Sequence, residues 1–254
     1  MHRKYFAYAG ILILVMWGCQ RSPSSPVPED SLVINMILKA DTLFQKAMVT
    51  RLQGDKDFGE IFSNDDFVFL NGIRLYNIPK NATLVDKHEF NYNQDYNYYH
   101  PHFYVTAGDT CSLMVITANQ DTISGTTVVP DHVSFTFGLP PLKPAASETN
   151  TAVVPVLRWD NSENAYMYMV NIYKRGIGAE KIPVSTGNIV FNHKYRLSSD
   201  EFNPLVQYYF ELIQFDKNYY EYIIRNKDTA GLRGARGVIG SMTTETFYYI
   251  PPKD

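Results

Sequence analysis

The chain is made of short apolar runs that alternate with polar residues and are separated by turn-forming residues. A period of two is typical of half-buried β-strands, and Asn71-Gly72, 107–109 and 119–121 suit the tight turns between such strands. The first set of predicted strands is 31–38, 46–52, 66–76, 82–90, 98–106, 111–118 and 122–129. About seven short strands in about 100 residues is the spacing of an antiparallel β-sandwich.

The same pattern resumes after Pro130, which closes the first set. The second set of predicted strands is 132–138, 153–159, 166–173, 189–195, 207–215, 219–224 and 243–250. The proline-rich segment 139–150 predicts a loop, and the single turn at 198–201 is the main helix candidate. The sequence therefore predicts an all-β fold with two tandem antiparallel β-sandwiches, at 31–130 and at 131–251.

The N-terminus has the three parts of a secretory signal. A positive start at 1–4 precedes the uncharged, mostly apolar stretch 5–17, and Gly18 stands before Cys19. The apolar stretch is shorter than the about 20 residues that span a membrane. Residues 1–18 are predicted to be a signal peptide, and the alternative is an uncleaved anchor in which Cys19 is incidental.

The segment after Cys19 is too poor in apolar residues to fold. Residues 20–30 read QRSPSSPVPED, with three prolines and three serines, so they cannot bury enough surface to form a core. We predict that residues 19–30 form a disordered tether between a lipidated cysteine and the first sandwich.

Charge and cysteine content exclude several classes of function. Removal of the leader with Arg3 and Lys4 would change the formal charge from −3 to −5, and no basic tract remains for nucleic acid. Only two cysteines occur. If Cys19 is acylated, Cys111 has no disulfide partner, and in its strand-like run it is expected to be a small buried thiol rather than a nucleophile.

Several motifs resemble those of known protein families. Met16-Trp17-Gly18-Cys19 resembles the lipobox of bacterial lipoproteins, whose cysteine becomes diacylated and whose lipid carries palmitate-type chains. Residues 108–130 resemble the end of the first sandwich in a large family of Bacteroidetes lipoproteins of unknown function. The matching positions there are Gly108, Leu113, Val115, Ser124, Thr127 and Pro130, with Cys111 in an aromatic place.

The C-terminal half resembles a fibronectin type III module. Leu157-Arg158-Trp159 is similar to strand B, 168–170 to strand C, and Leu205 with 208–212 to the approach to strand F, while 216–223 and 234–250 resemble the same lipoprotein family. The resemblance implies an immunoglobulin-like sandwich, of the carboxypeptidase-regulatory type, followed by a fibronectin-like one. It also implies an outer-membrane location and an accessory role in a transport system, and it brings no catalytic residues.

Tyrosines provide the main candidate binding surface. Tyr92, Tyr96, Tyr98, Tyr99 and Tyr104 could form an aromatic platform for sugar or peptide, because each ring offers apolar contact with a hydrogen-bonding tip. The alternative is that some of them pack in the core and the rest cover its rim.

Polar clusters give weaker candidates. His100 and His102 would share a strand face, with His88 nearby, but zinc sites need three or four ligands and Pro101 favours an edge. Alternating oxygen ligands at Asn91, Asn93, Asp95 and Asn97 suggest a calcium loop, although an exposed loop is the preferred interpretation. The segment 231–237, GLRGARG, is expected to be a solvated basic loop, or a contact with lipid headgroups or a partner.

These observations favour a non-catalytic, lipid-anchored envelope protein that binds or scaffolds a partner. No metal or cofactor is expected, and the sequence contains no nucleotide-binding, zinc-protease or nucleophile-elbow motif. A carbohydrate-binding accessory that uses the tyrosine platform is the second hypothesis, and an envelope hydrolase is the third.

Overall fold

The structure, a computed structural model, describes residues 32–52, 60–78, 96–138, 155–198 and 200–251. Within these ranges the chain is nearly all β, which confirms the predicted fold class. The strands of the first half are β1 (Leu32–Lys39), β2 (Gln45–Leu52), β3 (Glu60–Phe62), β4 (Phe67–Leu70), β5 (Ile73–Arg74), β6 (Tyr76–Asn77), β7 (Tyr98–His100), β8 (Thr110–Ile116) and β9 (Thr122–Val128).

The second half continues with strands and two short helical elements. They are β10 (Phe135–Gly138), β11 (Val156–Trp159), β12 (Met167–Arg175), a 3-10 turn (Ile177–Ala179), β13 (Lys181–Val190), β14 (Lys194–Arg196), β15 (Tyr208–Phe215), α1 (Lys217–Ile223), β16 (Thr229–Ala230), β17 (Leu232–Arg233) and β18 (Arg236–Tyr249).

The described strands form one large sheet and two smaller ones. The large sheet has the order β13-β12-β15-β18-β1-β2-β7-β6, with β16 beside β18 and β3 beside β2. The smaller sheets have the orders β17-β9-β8-β4-β5 and β10-β11-β14. Each smaller sheet packs on one half of the large sheet around its own apolar core, so two β-sandwiches share a continuous sheet.

Strand β18 is the element that both sandwiches share. Its first half pairs in parallel with β1, from Val33 opposite Arg236 to Lys39 opposite Met242. Its second half pairs antiparallel with β15, from Phe215 opposite Met242 to Tyr208 opposite Tyr249. One face of the strand places Ile239 in the first core and Tyr249 in the second. The predicted range 131–251 therefore supplies residues to both cores.

Buried hydroxyl and carboxyl groups fill the junction between the two cores. The Thr127 hydroxyl donates to Asp216 Oδ2 at 2.5 Å and lies 3.1 Å from Ser241 Oγ. The Thr243 hydroxyl donates to the carbonyl oxygen of Pro130 at 2.6 Å. Thr127, Asp216, Ser241 and Thr243 are each at most 3% exposed. Burial raises the pKa of Asp216, although its hydrogen bonds with Thr127 and the backbone oppose the change. Polar groups that are buried and mutually bonded link β9 and β18 to Asp216, the residue that follows β15.

Most predicted strands are confirmed within the described ranges, including the hairpin at Asn71-Gly72, whose two φ angles are 47° and 78°. The predicted strand 98–106 ends at His100, because Pro101 cannot donate a backbone hydrogen bond. The predicted strand 82–90 and the loop 139–150 lie outside the described residues.

The predicted strand 219–224 is wrong, because this segment forms α1. The Asp216 carboxylate accepts a hydrogen bond from the backbone N–H of Tyr219 and caps the helix. An N-cap aspartate satisfies an otherwise unpaired donor of the first turn, and this outweighs the strand preference of the three tyrosines in the helix. The expected helical turn at 198–201 is a tight turn, in which Ser198 N–H donates to Glu201 Oε2.

Two other predictions need correction. The predicted strand 189–195 spans the end of β13, a bend and the start of β14, and the first eight residues of β13 were missed. The expected solvated loop 231–237 is ordered: Leu232 pairs with Gly125 across β17 and β9 and is buried. Positive φ angles at Gly231, Gly234 and Gly237 turn the chain from β16 into β17 and on into β18.

Candidate functional site

The N-terminal candidates lie outside the described residues. These are the signal peptide 1–18, Cys19, the tether 19–30, Tyr92, His88 and the oxygen ligands Asn91, Asn93 and Asp95. The lipidation of Cys19 therefore stays a prediction.

The four described tyrosines of the predicted platform occupy three different environments. Tyr98 is 1% exposed and belongs to the first core, where its hydroxyl donates to the Asp66 carbonyl oxygen at 3.0 Å. Burial, with the nearby Asp66 charge, raises the pKa of Tyr98 to about 12. Tyr104 is exposed and donates to Asp41 Oδ1 at 3.0 Å.

Tyr96 and Tyr99 both lie beside Phe44, and neither ring is fully exposed to solvent. Tyr96 is buried, meets Phe44 edge to face and carries the Lys46 ammonium 5.0 Å from its ring centre. Tyr99 is half-buried and stacks on Phe44 at 5.8 Å, with Tyr76 on its other side. The described tyrosines thus do not share one accessible face, because residues at alternate positions of β7 and its flanks point to opposite sides of the sheet.

The histidine and asparagine candidates have local structural roles. The backbone N–H of His102 donates to His100 Nδ1 at 3.2 Å, and burial, with a smaller effect of His102, lowers the pKa of His100. Among the described residues, no group of three or more His, Cys, Asp or Glu side chains is arranged to hold a metal ion.

Asn97 is buried rather than exposed. Its Oδ1 accepts from Val49 N–H at 2.7 Å, and its Nδ2 donates to the carbonyl oxygens of Val49 and Ser63. The amide side chain thereby replaces a missing backbone partner for β2, which is a structural role.

Cys111 is a buried thiol, as predicted. Its side chain is 1% exposed in the first core, and Asn71 Nδ2 donates to its sulfur at 3.9 Å. Burial raises the pKa of the Cys111 thiol, which lowers the fraction of reactive thiolate.

One cluster was not predicted from the sequence. We call it the histidine bridge, and it consists of His132, Asp41 and Glu245. His132 Nε2 lies 2.9 Å from Asp41 Oδ2, and its Nδ1 lies 2.5 Å from Glu245 Oε1. Ionised carboxylates only accept hydrogen bonds, so His132 bonds to both of them only when both ring nitrogens carry hydrogen. The hydrogen bond with Glu245 is the main reason why the pKa of His132 is raised. These residues are 91 and 113 positions apart in the chain, so no local pattern could reveal them.

A row of tyrosines on the second sandwich was also not predicted from the sequence. Tyr173, Tyr209 and Tyr248 lie opposite one another on β12, β15 and β18, on the face that points away from the second core. We call these three residues the tyrosine row. The alternation of the strands YMYMVNIY and ETFYY was visible in the sequence, but the register that aligns their outer tyrosines was not.

Within the described ranges, no helix combines the length and the apolar character needed to cross a membrane. A comparison of the chain with protein-family models finds no match, and a comparison with curated proteins finds none either.

Proposed function

We propose that the protein is a lipid-anchored component of the cell envelope with a non-catalytic binding or scaffolding role, as an accessory to an outer-membrane transport system. Cys19 carries the anchor, and the two sandwiches carry the binding surfaces. In this proposal the first sandwich is immunoglobulin-like and the second is fibronectin type III-like.

The observation that carries the proposal is the direction of β1 relative to β18. β1 follows the proposed tether, and its start lies beside the start of β18, with Val33 opposite Arg236. Tyr249 lies at the other end of β18, in the second core. Arg236 and Tyr249 are 13 residues apart on β18. At about 3.3 Å per strand residue, the two ends of β18 lie about 40 Å apart. A lipid on Cys19 would thus attach the protein at the end of β18 that belongs to the first sandwich.

The strand order of the second sandwich supports its fibronectin-like assignment. A three-stranded sheet, β10-β11-β14, faces the four strands β13-β12-β15-β18. Trp159 is buried between them, and the Tyr208 hydroxyl accepts from the backbone N–H of Asn203 at 2.9 Å. A tyrosine at the start of this strand that bonds to backbone a few residues upstream is a recurring feature of immunoglobulin-like sandwiches. Leu205, in contrast, is 82% exposed and takes no part in this core.

Replacement of Cys19 tests the anchor. We expect the unaltered protein to incorporate labelled fatty acid, to begin at residue 19 and to sediment with outer membranes, because several acyl chains give stable binding. Cys19→Ala should lose the label and the cleavage. Cys111→Ala is the matched control, since it removes the other cysteine and should leave both unchanged. Retention of the label in Cys19→Ala would refute the proposal.

A further inference from the structure

The tyrosine row lies on the second sandwich, on the face of β12, β15 and β18 that points away from its core. The rings of Tyr209 and Tyr248 meet edge to face with their centres 5.0 Å apart. Tyr248 is 57% exposed, and Tyr173 and Tyr209 are half-buried beside it. The row therefore offers one open aromatic surface with neighbouring phenol groups at its side.

Two of the charged side chains next to the row, Lys181 and Glu211, are paired with each other, and Arg175 on the same face donates to Gln207 Oε1 at 2.8 Å. Lys181 Nζ lies 2.7 Å from Glu211 Oε1, and it also lies 5.5 Å from the Tyr173 ring centre and 5.7 Å from that of Tyr209. The hydrogen bond with Glu211 is the main reason why the pKa of Lys181 is raised. A neutral ligand with hydroxyl groups could bond to these side chains without separating the Lys181–Glu211 pair, whereas a polyanion or a polycation would have to compete with it.

The exposed aromatic area limits the size of the ligand. A fully covered tyrosine contributes about 150 to 250 Å², and only Tyr248 in the row is more than half exposed. A flat, uncharged ligand with an apolar face and a rim of hydroxyl groups matches a single exposed ring with polar groups beside it.

We propose that the tyrosine row binds an uncharged glycan, with the C–H face of a sugar on the Tyr248 ring and sugar hydroxyls on the phenols and the Lys181–Glu211 pair. This inference rests on the proposed binding role at the envelope and specifies its ligand class. It differs from the platform at Tyr92–Tyr104 in both position and residues. Aromatic neighbours on adjacent strands also stabilise sheets, so the test must separate binding from stability.

The test is an array of neutral and acidic glycans, followed by titration of the best neutral glycan. The lipidated protein is used in a detergent without a sugar headgroup, since such a headgroup would compete. We expect neutral glycans to bind with little dependence on salt. Tyr248→Ala should weaken binding by about fivefold or more, whereas Tyr248→Phe, which keeps the ring, should retain most of it.

Tyr166→Ala is the matched control, because Tyr166 is a 47% exposed tyrosine of the same sandwich outside the row. It should bind as the unaltered protein does, and thermal unfolding of each variant checks that the fold is kept. The inference is overturned if no glycan binds, if only acidic glycans bind and are released by salt, or if Tyr248→Ala binds normally. The fatty-acid label on the same preparation is read separately, so a failure here is distinct from a failure of the anchor.

Discussion

At the scale of single residues, the histidine bridge links parts of the fold that are far apart in the chain. Asp41 belongs to the turn after β1, and Glu245 belongs to the second half of β18. Tyr104 also contacts the bridge, because its hydroxyl donates to Asp41 Oδ1. The imidazolium form donates to both carboxylates, whereas neutral imidazole can donate to only one of them.

The bridge predicts a pH-dependent contribution to stability. Because the folded pKa of His132 is raised above its unfolded value of about 6.5, the contribution is complete below that value and is lost as pH rises through the folded pKa. The difference in melting temperature between the unaltered protein and His132→Gln should therefore shrink from about pH 6.5 upwards. Thermal unfolding at a series of pH values measures it.

Glu245→Gln provides the control for this mechanism. It removes the larger of the two interactions that raise the pKa of His132, so the histidine titration followed by NMR should move to lower pH. A stability difference that does not change with pH, or that grows as pH rises, would contradict the prediction. The effect should be modest, since the His132 side chain is 53% exposed and water screens its charge.

The residues that could be predicted from the sequence are those whose role depends on local pattern. The burial of Cys111 follows from its place in an alternating run, and that of Trp159 is implied by the resemblance of 157–159 to strand B of a fibronectin type III module. Asn97 and His132 could not be predicted, because their partners lie 48 and 113 residues away. The role of such polar residues cannot be predicted locally, because their hydrogen-bond partners come close to them only in the folded chain.

At the scale of the elements, a glycine is required where the backbone of a neighbouring strand leaves no room for a Cβ atom. Gly237 has a φ of +97°, and a Cβ there would lie against the backbone of Ile34 on β1. Gly187 has a φ of +75°, yet a Cβ there would meet nothing within 4 Å. Both glycines have a positive φ, but only Gly237 lies against the backbone of another strand. The two positions therefore form a matched pair for measuring the effect of that contact.

We expect Gly237→Ala to destabilise the protein more than Gly187→Ala. A side chain at positive φ costs about 1 to 2 kcal/mol at both positions, whereas only Gly237→Ala also pushes β1 away from β18, for about 2 kcal/mol more. Chemical denaturation of both variants gives the two free energies of unfolding. Equal losses would show that contact with Ile34 does not matter.

Strand positions could be predicted better than their connections. Alternation identified β1, β2, β8, β9, β12 and β15, because each has one face in a core. The start of β13 was missed because it is an edge strand with Pro183, a register shift and few buried residues. α1 was missed because its tyrosines favour a strand, and only its capping by Asp216 reverses that preference.

At the scale of the whole molecule, the shared strand β18 makes two sandwiches into one body. The sequence predicted two sandwiches in tandem, because each half of the chain has its own set of strands. It could not predict that a strand near the C-terminus pairs in parallel with the first one, since such pairing leaves no local pattern. The consequence is that the second sandwich cannot unfold without disturbing the strand that completes the first.

This coupling predicts that both cores unfold together, and the chain contains one probe for each core. Trp159 reports on the second core, since Trp17 lies in the proposed leader, and Cys111 is a thiol in the first core. Trp159 fluorescence and Cys111 labelling should change at the same denaturant concentration, as expected for a cooperative transition. Gly237→Ala should lower both midpoints equally. Cys111 labelling that precedes the fluorescence change, or a shift of the thiol midpoint alone in Gly237→Ala, would show that β18 does not couple the two sandwiches.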